Sequence, residues 1–392
     1  MPGPPNLSGP VVPSGRLSAP SRTVGAVAVS VSRSQVLAFR VRAQQLDRLA
    51  GTLDDTAVLD IGVQDTGPDG APWALAIRGV DVRAVPDDAL ALVWTIRGAP
   101  HVYRREDLPA VAAAVEPFSD ADAGKRIFDA SKPLKAAGIS NLAALDAVAA
   151  AMRSIVTAPM VKGEVSTALA AVMNPPYLRW CRACQATHPY EQPFRLAALR
   201  AGLELEPGTS PPVLRPVPGF TPAAATSERY DVVRAYLRLL GPATPKHVAD
   251  YLDAPVKDVR QRWPADAVEV SLDGETRWVL AADEPRLLDG EVDVVRLLGP
   301  FDLFLQAKDR PLLVDDPVRA KELWPVLGRP GAVHVDGEVV GTWRPRKAGR
   351  RLTVQLHPWV RWPPARREAV EEQAEQLAAH RGVDLAGVDY AP

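Results

Sequence analysis

Three stretches of this 392-residue chain hold residue types able to do chemistry. The first is Gly62-Val63-Gln64-Asp65-Thr66. An extended backbone turns Gln64 and Thr66 to one face and Asp65 to the other. An amide and a hydroxyl can hold a water, and a carboxylate can activate one. The second is Arg344–Arg367, which contains eight Arg or Lys and no acid, with Trp343, Trp359 and Trp362 interleaved. Arg344, Arg346, Lys347, Arg350 and Arg351 crowd one predicted hairpin, where like charges repel unless an anion sits among them. Phosphate backbone is the anion expected there. The third is Cys181-Arg182-Ala183-Cys184 with His188. A structural zinc site needs four ligands, usually two such pairs. With no second Cys pair, the expectation is a loop with two thiols and no metal. The chain lacks a phosphate-cradling glycine loop, a Gly-x-Ser-x-Gly elbow and a His-Glu-x-x-His helix. Standard nucleotide-binding enzymes and hydrolases are thereby disfavoured.

The elements that must position these residues follow from pattern. Ser32 and Gln35 make a capping box. Val36, Phe39, Ala43, Leu46 and Ala50 then recur at helical spacing. Leu92–Arg97 and His101–Arg104 flank Gly-Ala-Pro and read as a β-hairpin whose tip and second strand are basic: Arg97, His101, Arg104 and Arg105. Leu142–Val156 and Lys162–Met173 are two helices about a Pro turn, and Glu206–Pro222 reads as a Pro-rich linker. The clearest pattern is Ser227–Leu280. A helix through Leu240 stops at Gly241-Pro242. Thr244 caps a second, and Val256–Trp263 is a third. Strands about Asp273-Gly274 complete the order of a winged helix. Its third helix presents Lys257, Arg260 and Arg262 to a groove. Val333–Leu356 predicts three strands, and a helix follows Pro363.

Composition bounds the rest. The net charge is −1, so an anion-binding surface must come from local clustering. Of the 46 basic residues 37 are Arg, which suits bidentate phosphate contacts. No apolar run reaches the ~18 residues that span a bilayer, and no signal pattern opens the chain. The expected place is the cytoplasm, on the nucleoid if DNA is bound. Two cysteines exclude a disulfide scaffold. The expected fold is α+β, mainly helical, with tandem winged-helix domains. Its units are a disordered tail (1–30), a first winged-helix-like domain carrying Gln64 (31–135), a helical domain and linker (136–222), a winged helix (223–290), and a β-rich domain with the basic hairpin and terminal helix (291–392).

The order of several motifs along the chain resembles the winged-helix family of AlkZ and YcaQ-type DNA glycosylases. The carriers are Ser34-Gln35-Val36-Leu37-Ala38-Phe39-Arg40, Gly62-Val63-Gln64-Asp65, Arg97-Gly98-Ala99-Pro100-His101, Phe301-Asp302-Leu303-Phe304-Leu305 and Trp343-Arg344-Pro345-Arg346. The resemblance implies tandem winged helices embracing double-stranded DNA, excision of bulky alkylated purines and unhooking of crosslinks. It implies a catalytic motif of Gln, an apolar residue, then Gln or Asp. Here Gln64 matches, while Asp65 and Thr66 depart from the pattern. Two readings stay open: a monofunctional glycosylase using Gln64, Asp65 or Thr66, and a non-catalytic DNA-binding regulator. Neither needs a cofactor, a membrane or an obligate protein partner.

Overall fold

The computed structural model describes residues 28–68 and 70–391. The expected tail lies outside them except for its last residues. Of those, Val29 and Ser30 join Val31 in the strand Val29–Val31, which runs parallel to Ala267–Leu272. About 40% helix and 23% strand make the fold α+β, and strands serve every part of it.

Ser32 caps the helix Arg33–Ala43 with the expected reciprocal bond to Gln35. The helix ends at Ala43, so Leu46 is buried from the turn beyond and Ala50 is exposed. Helices Val232–Leu240, Pro245–Leu252 and Val256–Gln261 precede the hairpin Ala267–Leu272/Glu275–Leu280, in the order read from the sequence. Its turn, Asp273-Gly274, has positive φ at both residues (52° and 83°), which glycine at the second position allows. The same order occurs upstream: Ser131–Ala136, Asn141–Ile155 and Lys162–Val172 precede the hairpin Leu178–Cys181/Ala186–Pro189.

A six-stranded sheet runs Val63–Gln64, Pro100–Arg104, Leu90–Trp94, Leu203–Leu205, Val213–Pro216, Met160–Val161. It crosses the expected boundary at 135/136. The expected linker contributes Val213–Pro216 to it, so that segment is sheet rather than spacer. A five-stranded sheet runs Val295–Leu298, Gly331–Val335, Glu338–Ala348, Arg351–Pro358, Asp384–Tyr390. Helix Pro364–His380 buries Val370, Ala374 and Leu377.

Buried ion pairs tie the parts together. Arg40 holds Asp309 through two bonds (3.0 and 2.7 Å), and Arg277 reaches the same carboxylate. Arg78 holds Asp302 likewise (2.8 and 2.9 Å). Breaking such a pair strands a charge away from water. Arg40 and Asp302, both in motifs that carried the resemblance, therefore have architectural work.

Candidate active site and nucleic-acid surface

Val63–Gln64 is an edge strand of the six-stranded sheet, with Gln64 opposite His101. Gly62, at φ 89°, begins it: a Cβ there would sit 2.3 Å from the Tyr103 ring. Behind the strand lies a buried polar layer. His101 Nδ1 donates to the Ala99 carbonyl (2.9 Å), and Tyr103 donates to that of Ile61 (3.2 Å). Burial, reinforced by Arg97, pushes His101 down to about 3, so it is neutral at physiological pH.

Gln64 faces forward. Its Nε2 donates to Thr66 Oγ1 (3.0 Å), and its Oε1 accepts from Gln306 Nε2 (3.3 Å). Gln306 Oε1 accepts in turn from Arg97 (3.3 Å). The alternation expected of an extended chain holds: Asp65 points away. Its Oδ1 accepts from the Ala71 amide (2.9 Å), joining the start of helix Ala71–Ala76, and burial raises its pKa against that bond. As a base acting beside Gln64, Asp65 is corrected by this geometry.

Thr66 opens onto a cleft of about 390 Å³ lined also by Pro68, Phe301, Leu327 and Arg329. Val326 and Leu327 stand at its rim, 97% and 86% exposed. Cations gather beside it. Arg329 lies over the Phe301 ring (5.1 Å), lowered by burial and by Arg310 and Arg97. Lys308 is held down to about 8, first by burial and then by Arg97. Lys308 and Arg329 thus share the fields of Arg97 and Arg310. Gln306, Lys308, Arg310 and Arg329 escaped the sequence reading, since each stands more than 200 residues from Gln64.

The expected DNA contacts divide. Arg344, Arg346, Lys347, Arg350 and Arg351 are exposed on the hairpin Glu338–Ala348/Arg351–Pro358. Arg344 also donates to the Gly328 carbonyl (2.8 Å), joining this hairpin to the cleft's rim loop. Lys257, Arg260 and Arg262 are exposed, with Arg262 over the Phe118 ring (4.7 Å). Two others are corrected. His101 is buried and neutral. Arg104 is 2% exposed and pairs with Asp60 (2.8 Å) and Asp107 (3.1 Å). Arg97 is half-buried and donates to the Tyr251 carbonyl (2.5 Å), so it belongs to the floor of the site. Trp343 and Trp362 are buried and Trp359 donates to Glu322, so the interleaved tryptophans are packing residues.

No described helix is long and apolar enough to cross a membrane. A family model described as "AlkZ-like: DNA glycosylase AlkZ-like" matches residues 58–380. No curated protein matches the sequence. Among solved structures, the DNA glycosylase AlkZ of Streptomyces sahachiroi has a TM-score of 0.71 to this chain at 22% identity, covering 93% of this chain and 100% of that one. That likeness speaks to the fold alone.

Proposed function

The chain belongs to the AlkZ-like DNA glycosylase family, and we propose that it hydrolyses the N-glycosidic bond of bulky alkylated or crosslinked purines in double-stranded DNA. The carrying observation is the Gln64 amide, fixed by Gln306 on one side and Thr66 on the other at the mouth of an open cleft. A water taking the place of the bond between Gln64 and Thr66 would meet a donor and an acceptor from each. Among the described residues, Asp65, the carboxylate between Gln64 and Thr66 in sequence, is turned to Ala71. An N7-alkylated purine is already cationic and leaves without protonation, so a positioned water suffices for attack on the oxocarbenium-like carbon. Arg97, Lys308, Arg310 and Arg329 would oppose that cationic carbon if bare. Phosphates flanking the extruded nucleotide neutralise them, which makes binding a condition of chemistry. Val326 and Leu327 fill the gap the base leaves in the stack. The three helices and hairpin of 232–280 are read as a winged helix, and the cytoplasmic nucleoid as the place of action.

The test is incubation with N7-alkylated duplex DNA, scoring free base by chromatography. Release is expected. Gln64→Ala should abolish it while changing duplex affinity by no more than about twofold, because phosphate contacts dominate affinity. Thr66→Asp, which restores a carboxylate on the same face, should raise the rate. Release indifferent to Gln64→Ala sinks the assignment of Gln64. The engagement of Asp65 elsewhere favours a second reading, a non-catalytic DNA-binding regulator. Tight duplex binding without base release from any alkylated duplex would select it.

A further inference from the structure

Far from Gln64 in sequence, the hairpin Leu178–Cys181/Ala186–Pro189 brings three soft donors together. One ligand atom each from Cys181, Cys184 and His188 lies within 4.8 Å of the others. The fold explains the convergence. Cys181 pairs with Ala186 and Arg179 with His188, so Cys181 and His188 sit diagonally on one face of the ladder. The turn between the strands carries Cys184 back toward them. It is closed by Gln185, whose φ is 50° and whose Nε2 donates to the Arg182 carbonyl (2.6 Å). His188 Nδ1 donates to the Pro189 carbonyl (2.9 Å), so Nε2 keeps the lone pair. A backbone carbonyl fixing one ring nitrogen is how proteins orient a metal-ligating histidine. The three residues that stand together in the sequence thus also stand together in space.

We propose that Cys181, Cys184 and His188 bind a zinc ion, with solvent at the fourth position. Tetrahedral zinc with thiolate and imidazole ligands spaces its donors about 3.6–3.8 Å apart, given bonds of roughly 2.3 and 2.1 Å. The trio closes to that spacing by rotating side chains that are exposed or half-buried. Thiolates and imidazole select a borderline-soft cation over magnesium or calcium. The site also meets a need of the fold. Among the described residues this two-stranded sheet joins no other strand, and isolated hairpins are marginal in water. Trp180 is 62% exposed on it. A metal clip across the turn would hold the ladder in register. On binding, each thiol loses its proton to solvent and its sulfur donates a lone pair to the ion; no electron is transferred.

The test is titration of the reduced full-length chain with Co²⁺, then with Zn²⁺, followed by absorption. Cobalt should give thiolate charge-transfer and intense visible bands saturating at one ion per chain, and zinc should displace them. Cys181→Ser, Cys184→Ser and His188→Ala should each weaken binding at least about tenfold with the far-ultraviolet dichroism unchanged. His188→Cys should retain a four-coordinate spectrum. Zinc should slow hydrogen exchange of the Trp180 and Thr187 amides. Absence of the charge-transfer band in the reduced wild type, or its persistence in Cys184→Ser, would overturn the proposal. So would a Cys181–Cys184 disulfide that forms equally fast with and without zinc. None of these readouts depends on base release.

Discussion

Two of the hairpins that carry basic residues use them in opposite ways. In Leu90–Trp94/Pro100–Arg104, Arg104 turns inward. It donates to Asp60, Asp107 and the carbonyls of Leu53 and Thr56. In Glu338–Ala348/Arg351–Pro358, Arg346, Lys347, Arg350 and Arg351 stay in solvent around Gly349, whose φ is 59°. The difference lies in the supply of acid. Asp107 follows Arg104 by three residues, and Asp60 already gathers Arg229 and Arg238. The stretch Arg344–Arg367 has no acid at all. A guanidinium with carboxylates and carbonyls in reach is drawn into the fold; one without them keeps its hydration and remains open to an outside anion.

The largest expected effect breaks the inward hairpin. Arg104→Ala leaves Asp60 and Asp107 short of a partner and several carbonyls unmet. It should cost about 3 kcal/mol of stability, at the low end for a broken buried pair because Arg229 and Arg238 remain on Asp60. The urea midpoint measures it, and the salt slope of DNA binding by the folded variant should not move. A variant as stable as wild type would contradict the burial argument. The outward hairpin should behave conversely. Replacing Arg346, Lys347, Arg350 and Arg351 together by Ala should leave the urea midpoint nearly unchanged. It should weaken binding to every duplex and flatten the slope of log affinity against log salt by about 3–4 units, roughly 0.9 per phosphate contact. An unchanged slope removes this hairpin from the interface.

The smallest effect concerns a cation between these extremes. Lys308 is partly buried, with burial and Arg97 holding it at about 8. Phosphate binding would raise it. Duplex affinity should therefore be flat below that pH and fall as pH climbs through about 8, by less than about tenfold for one contact. Fold stability should move the other way, improving above pH 8 as the buried ammonium is relieved of its charge. Lys308→Arg, always charged, should abolish the fall in affinity seen by fluorescence anisotropy. A pH-independent wild type would remove Lys308 from the phosphate contacts.

What could be read in advance was local. The Ser32–Gln35 capping box, the Asp273-Gly274 turn and the basic tip at Gly349 are set by neighbours a few residues apart. The six-stranded sheet could not be read, because strands such as Val63–Gln64 and Met160–Val161 are too short to show a period. Gln64 was found through its motif, and the opposite facing of Asp65 through strand alternation. Its partner Gln306, and Lys308, Arg310 and Arg329, arrive from the far end of the chain, where no spacing rule reaches. Arg104 and His101 were misplaced because charge was read without the acids and the hydrogen-bonded layer that absorb it. Cys181, Cys184 and His188 stood together in the sequence, but the strand register that puts Cys181 and His188 on one face of the ladder is invisible in a single stretch.

The strand Val29–Val31 and the helix after it find their partners late. Val29 pairs with Val270, Arg40 with Asp309, and Arg33 with Glu338. At about 5–20 residues per second, a ribosome needs on the order of 15–60 s to make the intervening chain. For that interval the first helix, with Val36, Phe39 and Val41 bound for the core, waits without the surface that will cover it. The helix Arg33–Ala43 thus gains its full set of partners only once the chain has been made as far as Glu338.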